Sequence, residues 1–216
     1  MEQGKFITFE GGDGVGKTTQ IERLAARLRA KGIEYVVTRE PGGTPFAERV
    51  RDFILSGGLP EHPALAEALL FGAARLDHVQ RFIQPALDAG QWVLCDRFAD
   101  STRAYQGAAG GVDPAVLLQL EALTHPDCAP DLTLILDLDP TAGRVRITER
   151  RVRGDEADDP FEGRDLDFQE RLREAFLEIA RSDQRRCRII DAAKPEESVE
   201  AAIWNCVADR FDLEAA

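Results

Sequence analysis

The chain reads as an α/β protein: a mainly parallel sheet covered by helices on both faces. Short apolar runs bounded by turn residues alternate with longer helical patterns, which is the rhythm of strand-helix-strand units. The first run gives way to a glycine-rich turn that opens a helix, "FITFEGGDGVGKTTQ". At 216 residues and 44% hydrophobic, the chain can bury a full core as one domain, with room for only a small inserted lid.

Strands are expected at 5–10, 33–38, 91–96, 131–137 and 188–191, each apolar in its interior as parallel strands buried on both faces are. The first helix is expected over 17–30, with Ile21, Leu24 and Leu28 at helical spacing and Gly32 as its stop. A second long helix is expected over 64–88, on the repeat of Leu65, Leu69, Leu76, Val79 and Ile83, kinked near Pro85. The segment 143–164 is first basic and then acidic, and reads as a helix end running into a mobile lid.

Composition removes several classes of function. A net charge of −12 argues against a general nucleic-acid or anionic-membrane surface, so any bound anion must meet a local basic cluster. No apolar run approaches the roughly 20 residues needed to span a bilayer, and no signal peptide precedes the first strand; a cytoplasmic protein is expected. Cys95, Cys128, Cys187 and Cys206 are scattered without a CxxC pair, which suits reduced core thiols better than a metal or disulfide framework.

Gly11, Gly16, Lys17 and Thr18 fit G-x-x-x-x-G-K-[ST] in the strand-to-helix setting that a phosphate-binding loop requires. In such a loop the backbone N–H groups of 11–19 (Gly11, Gly12, Asp13, Gly14, Val15, Gly16, Lys17, Thr18, Thr19) curl around the phosphates of a nucleoside triphosphate. Lys17 reaches the outer phosphates and the Thr18 hydroxyl holds Mg2+. The loop alone does not distinguish a switch protein, an ATPase and a kinase. A guanine-reading switch would want N-K-x-D, and the sole asparagine is Asn205. Asp96 and Arg97 close the third strand, at the edge where open α/β sheets bind ligands. There Asp96 is placed to hold Mg2+ through water and Arg97 to clamp a second phosphate; away from a phosphate loop the pair would read as a surface ion pair.

With "FEGGDGVGKTT", "TREPGGT", "LLFGAAR", "DRFADSTRAYQG" and the arginine-rich segment in this order, the sequence resembles bacterial-type thymidylate kinases over essentially its whole length. The resemblance implies a three-layer P-loop fold with a five-stranded parallel sheet in the order 2-3-1-4-5, a single domain over 1–216, a homodimer, and ATP-dependent, Mg2+-assisted phosphorylation of dTMP to dTDP in dTTP synthesis. It further implies that Phe71 stacks on thymine, that Arg75 and Gln106 read its polar edges, and that Tyr105 packs under the sugar where a 2′-hydroxyl would collide. Ser101 lines the same pocket; Arg39, Glu40, Pro41 and Arg51 belong to the dTMP side, the Glu40–Pro41 bond being cis; Asp13 approaches the 3′-hydroxyl. Adenine is expected near 192–194.

Arg144, Arg146, Arg150, Arg151 and Arg153 fall on the lid, and family members without an arginine at the position of Gly14 take the catalytic arginine from there. Pro160 stands in "DPFE" where an arginine is usual, so the choice among them stays open, with Arg151 and Arg153 as the candidates. Three other readings stay open: a kinase for another monophosphate, a deoxynucleoside kinase, and an ATPase that uses nucleotide state to control assembly.

Overall fold

The computed structural model describes residues 3–55, 63–153 and 165–213. Five strands, β1 (Phe6–Glu10), β2 (Tyr35–Arg39), β3 (Trp92–Asp96), β4 (Leu132–Asp137) and β5 (Cys187–Asp191), form one sheet in the order β2-β3-β1-β4-β5. All four pairings are parallel, with Phe6 opposite Val93 and Ile7 opposite Leu132 on the two sides of β1. Parallel pairing brings every strand's carboxyl end to one edge, so the loops that follow β1, β2 and β3 converge there.

Successive strand residues point to opposite faces, and both faces are covered. On one, Ile7, Phe9, Leu94, Leu134 and Ile190 pack under α1 (Lys17–Ala30) and α9 (Glu196–Arg210). On the other, Phe6, Val93 and Cys95 meet Val79, Ile83 and Leu87, while Ile135 and Cys187 meet Leu172 and Phe176 of α8 (Leu166–Ser182). The remaining helices are α2 (Pro45–Leu55), α3 (Ala64–His78), α4 (Gln84–Asp88), α5 (Ala99–Thr102), α6 (Pro114–Thr124) and α7 (Pro140–Arg153).

Two departures from the sequence expectation matter for the site. The helix expected over 64–88 is α3, a π-helical turn at Val79–Ile83 and α4, so the irregularity precedes Pro85, which sits in the first turn of α4. A second π-helical turn, Arg103–Ala108, continues α5 and carries Tyr105 and Gln106. Such insertions shift the side-chain register by one residue and recur at functional sites. Leu65 and Leu69, expected on the buried stripe, are exposed; α3 instead buries Ala68, Gly72, Ala74, Arg75 and His78. All four cysteines are free, three buried and Cys206 half-buried. Among the described residues no helix is long and apolar enough to cross a membrane. The expected lid is helical through Arg153, while 154–164, with Asp159, Pro160 and Glu162, lies outside the described residues.

Candidate active site

A cleft of about 710 Å3 opens along the carboxyl edge of the sheet, and its wall runs from the glycine loop past Asp96 and Arg97 to Phe71, Arg75 and Gln106. At one end the loop after β1 wraps toward the start of α1. Lys17 is buried, its Nζ donating to the carbonyls of Gly12 (2.8 Å) and Gly11 (3.3 Å). Burial and the neighbouring Arg97 push its ammonium down to about 8 from 10.5, against the pull of Asp96, Asp13 and Glu10. Phosphate brought beside this desolvated ammonium would favour its charged form and raise it again.

Gly14 sits in left-handed backbone at φ +73°, and a Cβ there would strike the backbone of Gly143 on α7. The contact is reciprocal: a Cβ on Gly143 would come within 2.7 Å of the Asp13 carbonyl. The glycine loop and the lid helix therefore touch backbone to backbone, and no arginine side chain fits at Gly14. Along α7 the residues four and seven beyond Gly143 are Ile147, which is buried, and Arg150, which is half-buried, so this seam delivers Arg150 to the cleft wall. Arg151 is exposed and absent from that wall, and the side chain of Arg153 lies outside the described residues. Arg146 turns away and donates to the carbonyl of Ala192 (3.0 Å). Ala192 is buried and Lys194 exposed, neither on the cleft.

Arg97 follows β3 with φ +68°, an unfavourable conformation for a residue with a side chain. Its backbone is pinned on both sides: its N–H donates to the Phe9 carbonyl (2.9 Å), and the Cys95 thiol donates to its carbonyl (3.1 Å). The guanidinium is thereby aimed across the loop, donating to Asp13 Oδ1 (2.6 Å), the Gly11 carbonyl (2.9 Å) and Ser101 Oγ (3.3 Å), and lying over the Tyr105 ring at 5.1 Å. Burial works against its charge, but Tyr105, Asp13, Asp96 and Glu10 outweigh that and hold it above its ordinary value. Tyr105 also donates its hydroxyl to Asp13 Oδ1 (3.2 Å).

Glu10, the last residue of β1, is buried beneath this turn and accepts from the Phe98 N–H (2.7 Å) and the Ser101 hydroxyl (2.6 Å). Burial first, and then the Asp100 carboxylate, push its carboxyl up to about 8 from 4.5, against Ser101, Arg97 and Phe98. Beside it, the Thr18 hydroxyl donates to Asp96 Oδ2 (3.4 Å), while Asp96 Oδ1 and Asp13 Oδ2 are buried without a hydrogen-bond partner. Hard oxygens with unspent lone pairs next to a phosphate loop fit a partly hydrated Mg2+.

At the far end, Phe71 and Arg75 stand one turn apart on α3 and both line the cleft. Gln106 is buried and donates its amide to Glu67 Oε2 (2.9 Å). Arg51 lines the cleft and donates to the Pro41 carbonyl (3.1 Å); Arg39 is exposed and pairs with Glu48 (3.1 Å). The Glu40–Pro41 bond is cis. Glu40 and Pro41, which the sequence reading put on the dTMP side, both line the cleft, and the Glu40 carboxylate receives Arg75 Nε at 2.7 Å and faces His78 Nδ1 at 3.1 Å.

A family model described as thymidylate kinase matches residues 9–203. The chain belongs to the thymidylate kinase family. It is 53% identical over 208 residues to the thymidylate kinase of Nitrobacter hamburgensis, covering 96% of this chain and 90% of that one. To the thymidylate kinase of a Bradyrhizobium species it is 51% identical over 209 residues, covering 97% and 92%. A crystal structure of thymidylate kinase from Ehrlichia chaffeensis matches with a TM-score of 0.77 at 34% identity, over 95% of this chain and 99% of that one. Thymidylate kinases are phosphotransferases that convert dTMP to dTDP with ATP, and that is the activity of this chain.

Glu10, His78 and Gly143 were not singled out from the sequence. Glu10 had a visible signal, a carboxylate ending an otherwise apolar strand, "FITFE". Gly143 and His78 had none, because each acts through a contact with a residue far away in the chain.

Proposed function

We propose that dTMP lies along the cleft with its base between Phe71, Arg75 and Gln106 and its phosphate beside Arg97 and Arg51, facing ATP held by the 11–19 loop. The observation that carries this is a single continuous wall joining Lys17 and Arg97 to Phe71, Arg75 and Gln106. Arg75 beside an aromatic ring suits a planar base with a carbonyl edge. Gln106 commits its amide nitrogen to Glu67, which turns its carbonyl toward a ring N–H. Tyr105, held by Asp13 and Arg97, fills the space that a 2′-hydroxyl would need.

The dTMP phosphate is already an anion at neutral pH, so the chain's work is alignment and charge neutralisation rather than strong base catalysis. Lys17 and Arg97 supply fixed positive charge on either side of the transferred group, and Arg150, with Arg151 and Arg153 on the same helix, completes it from the lid. Arg97 is preorganised by its pinned backbone; an incoming phosphate replaces Asp13 and the Gly11 carbonyl as its partner. Thr18 and Asp96 would hold Mg2+, which when bound neutralises charge on the phosphates of ATP. Closure of the lid excludes water that would otherwise take the phosphoryl group. Adenine is placed beyond the loop, toward 192–194.

A homodimer would cover apolar side chains that α2, α3 and α6 leave in solvent, Phe53, Leu69, Leu118 and Leu123, each more than half exposed. Sedimentation at micromolar concentration should give a dimer, and Leu69→Glu with Leu123→Glu should give a monomer. A cytoplasmic location accords with four free thiols and dependence on ATP. The central test is ADP release from Mg-ATP with dTMP, dUMP, CMP, AMP, GMP or thymidine as acceptor. Rapid turnover with dTMP and dTDP as product supports the assignment; equal release without acceptor, or with another nucleotide only, overturns it.

A further inference from the structure

We propose that His78 is a positioning residue for base recognition, acting through Glu40 to fix the guanidinium of Arg75. The inference rests on the reading that Arg75 contacts the base. Arg75 is almost wholly buried at the cleft wall, with Nε on Glu40 Oε2 (2.7 Å), Nη2 donating to Thr102 Oγ1 (3.0 Å), and its plane over Phe98 at 5.1 Å. The other Glu40 oxygen faces His78 Nδ1 (3.1 Å), and the opposite ring nitrogen meets Thr38 Oγ1 (2.7 Å).

The hydrogen-bond chemistry gives this chain a direction. Burial opposes the charge of Glu40, but Arg75 and His78 outweigh it and hold the carboxyl below its ordinary value. A carboxylate can only accept, so Nδ1 carries a proton and donates to Glu40, while Nε2 and the Thr38 hydroxyl share the second hydrogen bond. Strand β2, the cis Glu40–Pro41 turn and helix α3 are thereby tied into one line ending on Arg75. The imidazole is completely buried and stacks on Phe82 at 5.8 Å. Its other side is pressed against Gly43, at φ +85°, where a Cβ would collide with the ring and with Thr38 Oγ1. With so little free volume the imidazole has no other place to go.

A buried ion pair such as Glu40–Arg75 seldom stabilises a fold better than apolar residues of the same volume. Its retention at the wall of a ligand cleft is explained by what it fixes. With Nε and Nη2 occupied, the guanidinium keeps one edge for a ligand acceptor, and its plane cannot rotate unless Glu40 moves. His78 is what keeps Glu40 from moving.

The discriminating ligand is 5-methyl-dCMP, which shares the shape of dTMP but carries an amine where thymine has the carbonyl that a guanidinium would read. The quantity measured is the ratio of kcat/KM for dTMP over 5-methyl-dCMP, with KM for ATP as the internal control. His78→Leu should lower the ratio about tenfold and raise KM for dTMP by a similar factor, leaving KM for ATP unchanged. His78→Asn, whose amide nitrogen takes the place of Nδ1, should restore most of the ratio. Glu40→Gln supplies a second, near-isosteric break if His78→Leu does not fold, and should lower the ratio likewise. A structural role alone would lower the melting temperature and leave the ratio intact. If Arg75→Lys collapses the ratio while His78→Leu or Glu40→Gln leaves it unchanged, the positioning role is overturned and the base reading stands. If Arg75→Lys also leaves it unchanged, the base reading falls and the positioning role falls with it.

Discussion

At the phosphate end of the cleft the chain relies on backbone: glycine-loop amides, the left-handed turn at Arg97, and the contact of Gly14 with Gly143. At the end proposed for the base it relies on buried side chains, Thr38, His78, Glu40 and Arg75, drawn from β2, the turn after it and α3. Phosphate presents the same tetrahedral anion in every nucleotide, so a fixed ring of amides and cations suffices to hold it. A base is distinguished by the pattern of donors and acceptors on its edge, which calls for one guanidinium held in one plane. The two ends should therefore fail differently when a cation is removed.

The largest effect is expected at the base end. Arg75→Met leaves Glu40 buried at 6% exposure without its cation, and breaking a buried pair from one side costs about 3–5 kcal/mol. The melting temperature should drop by roughly 10 °C, since each kcal/mol is worth about 2–4 °C in a domain of this size, and KM for dTMP should rise with it. Scanning calorimetry beside steady-state kinetics checks both. An undiminished melting temperature would show that Glu40 finds another partner and that this end is less interlocked than its geometry implies.

Arg97→Ala is the matching change at the phosphate end. Asp13 keeps the Tyr105 hydroxyl, and the turn keeps its links to Phe9 and Glu10, so the fold should survive. Turnover should fall about 10²–10³-fold, the usual loss for one preorganised cation. Near-normal turnover would remove Arg97 from the transfer step. Loss of turnover without loss of stability here, against loss of both at Arg75, would establish the contrast.

What was legible in the sequence follows the same division. The glycine loop was readable because its requirements are local, the glycines, Lys17 and Thr18 lying within one turn of chain. Asp96 and Arg97 were readable from their place at a strand's carboxyl end. Phe71, Arg75 and Gln106 were singled out only through resemblance, because a helical aromatic and arginine look like core and surface until the tertiary fold brings them to one cleft. Neither π-helical turn was read, since each spans only five or six residues, too few to show a period of its own. The apolar Leu65 and Leu69 misled in the opposite direction: exposed leucines have the same spacing as buried ones, and only a partner surface would distinguish them.

A smaller effect should separate the lid from both ends. Gly143→Ala pushes a methyl group against the Asp13 carbonyl, a backbone contact that can be relieved only by moving α7 or the glycine loop, at about 1–3 kcal/mol. KM for ATP and kcat should worsen several-fold while KM for dTMP holds, because the displaced elements carry the phosphates and Arg150. Equal damage to both KM values would mean that the loop and the base pocket move as one body.

The smallest effect concerns protons. The ammonium of Lys17 is held near about 8 in the free protein, against 10.5 for an ordinary lysine. Between those values the unfolded chain keeps a proton that the folded chain has released, so this group's contribution to stability grows as pH rises through that window. ATP reverses the balance: phosphates beside Lys17 favour its charged form, so binding draws a proton in. Affinity for ATP should therefore be level below pH 7 to 8 as far as Lys17 is concerned, then weaken by up to about tenfold per pH unit above it. Titration calorimetry at pH 8.5 in two buffers of different ionisation enthalpy should show uptake of most of one proton per ATP. Binding of dTMP alone should take up much less, because its proposed base contacts lie at the far end of the cleft from Lys17. Equal uptake with either nucleotide would mean that the dTMP phosphate reaches Lys17 as closely as ATP does, and the separation between the two ends would then be one of chain composition and not of ligand.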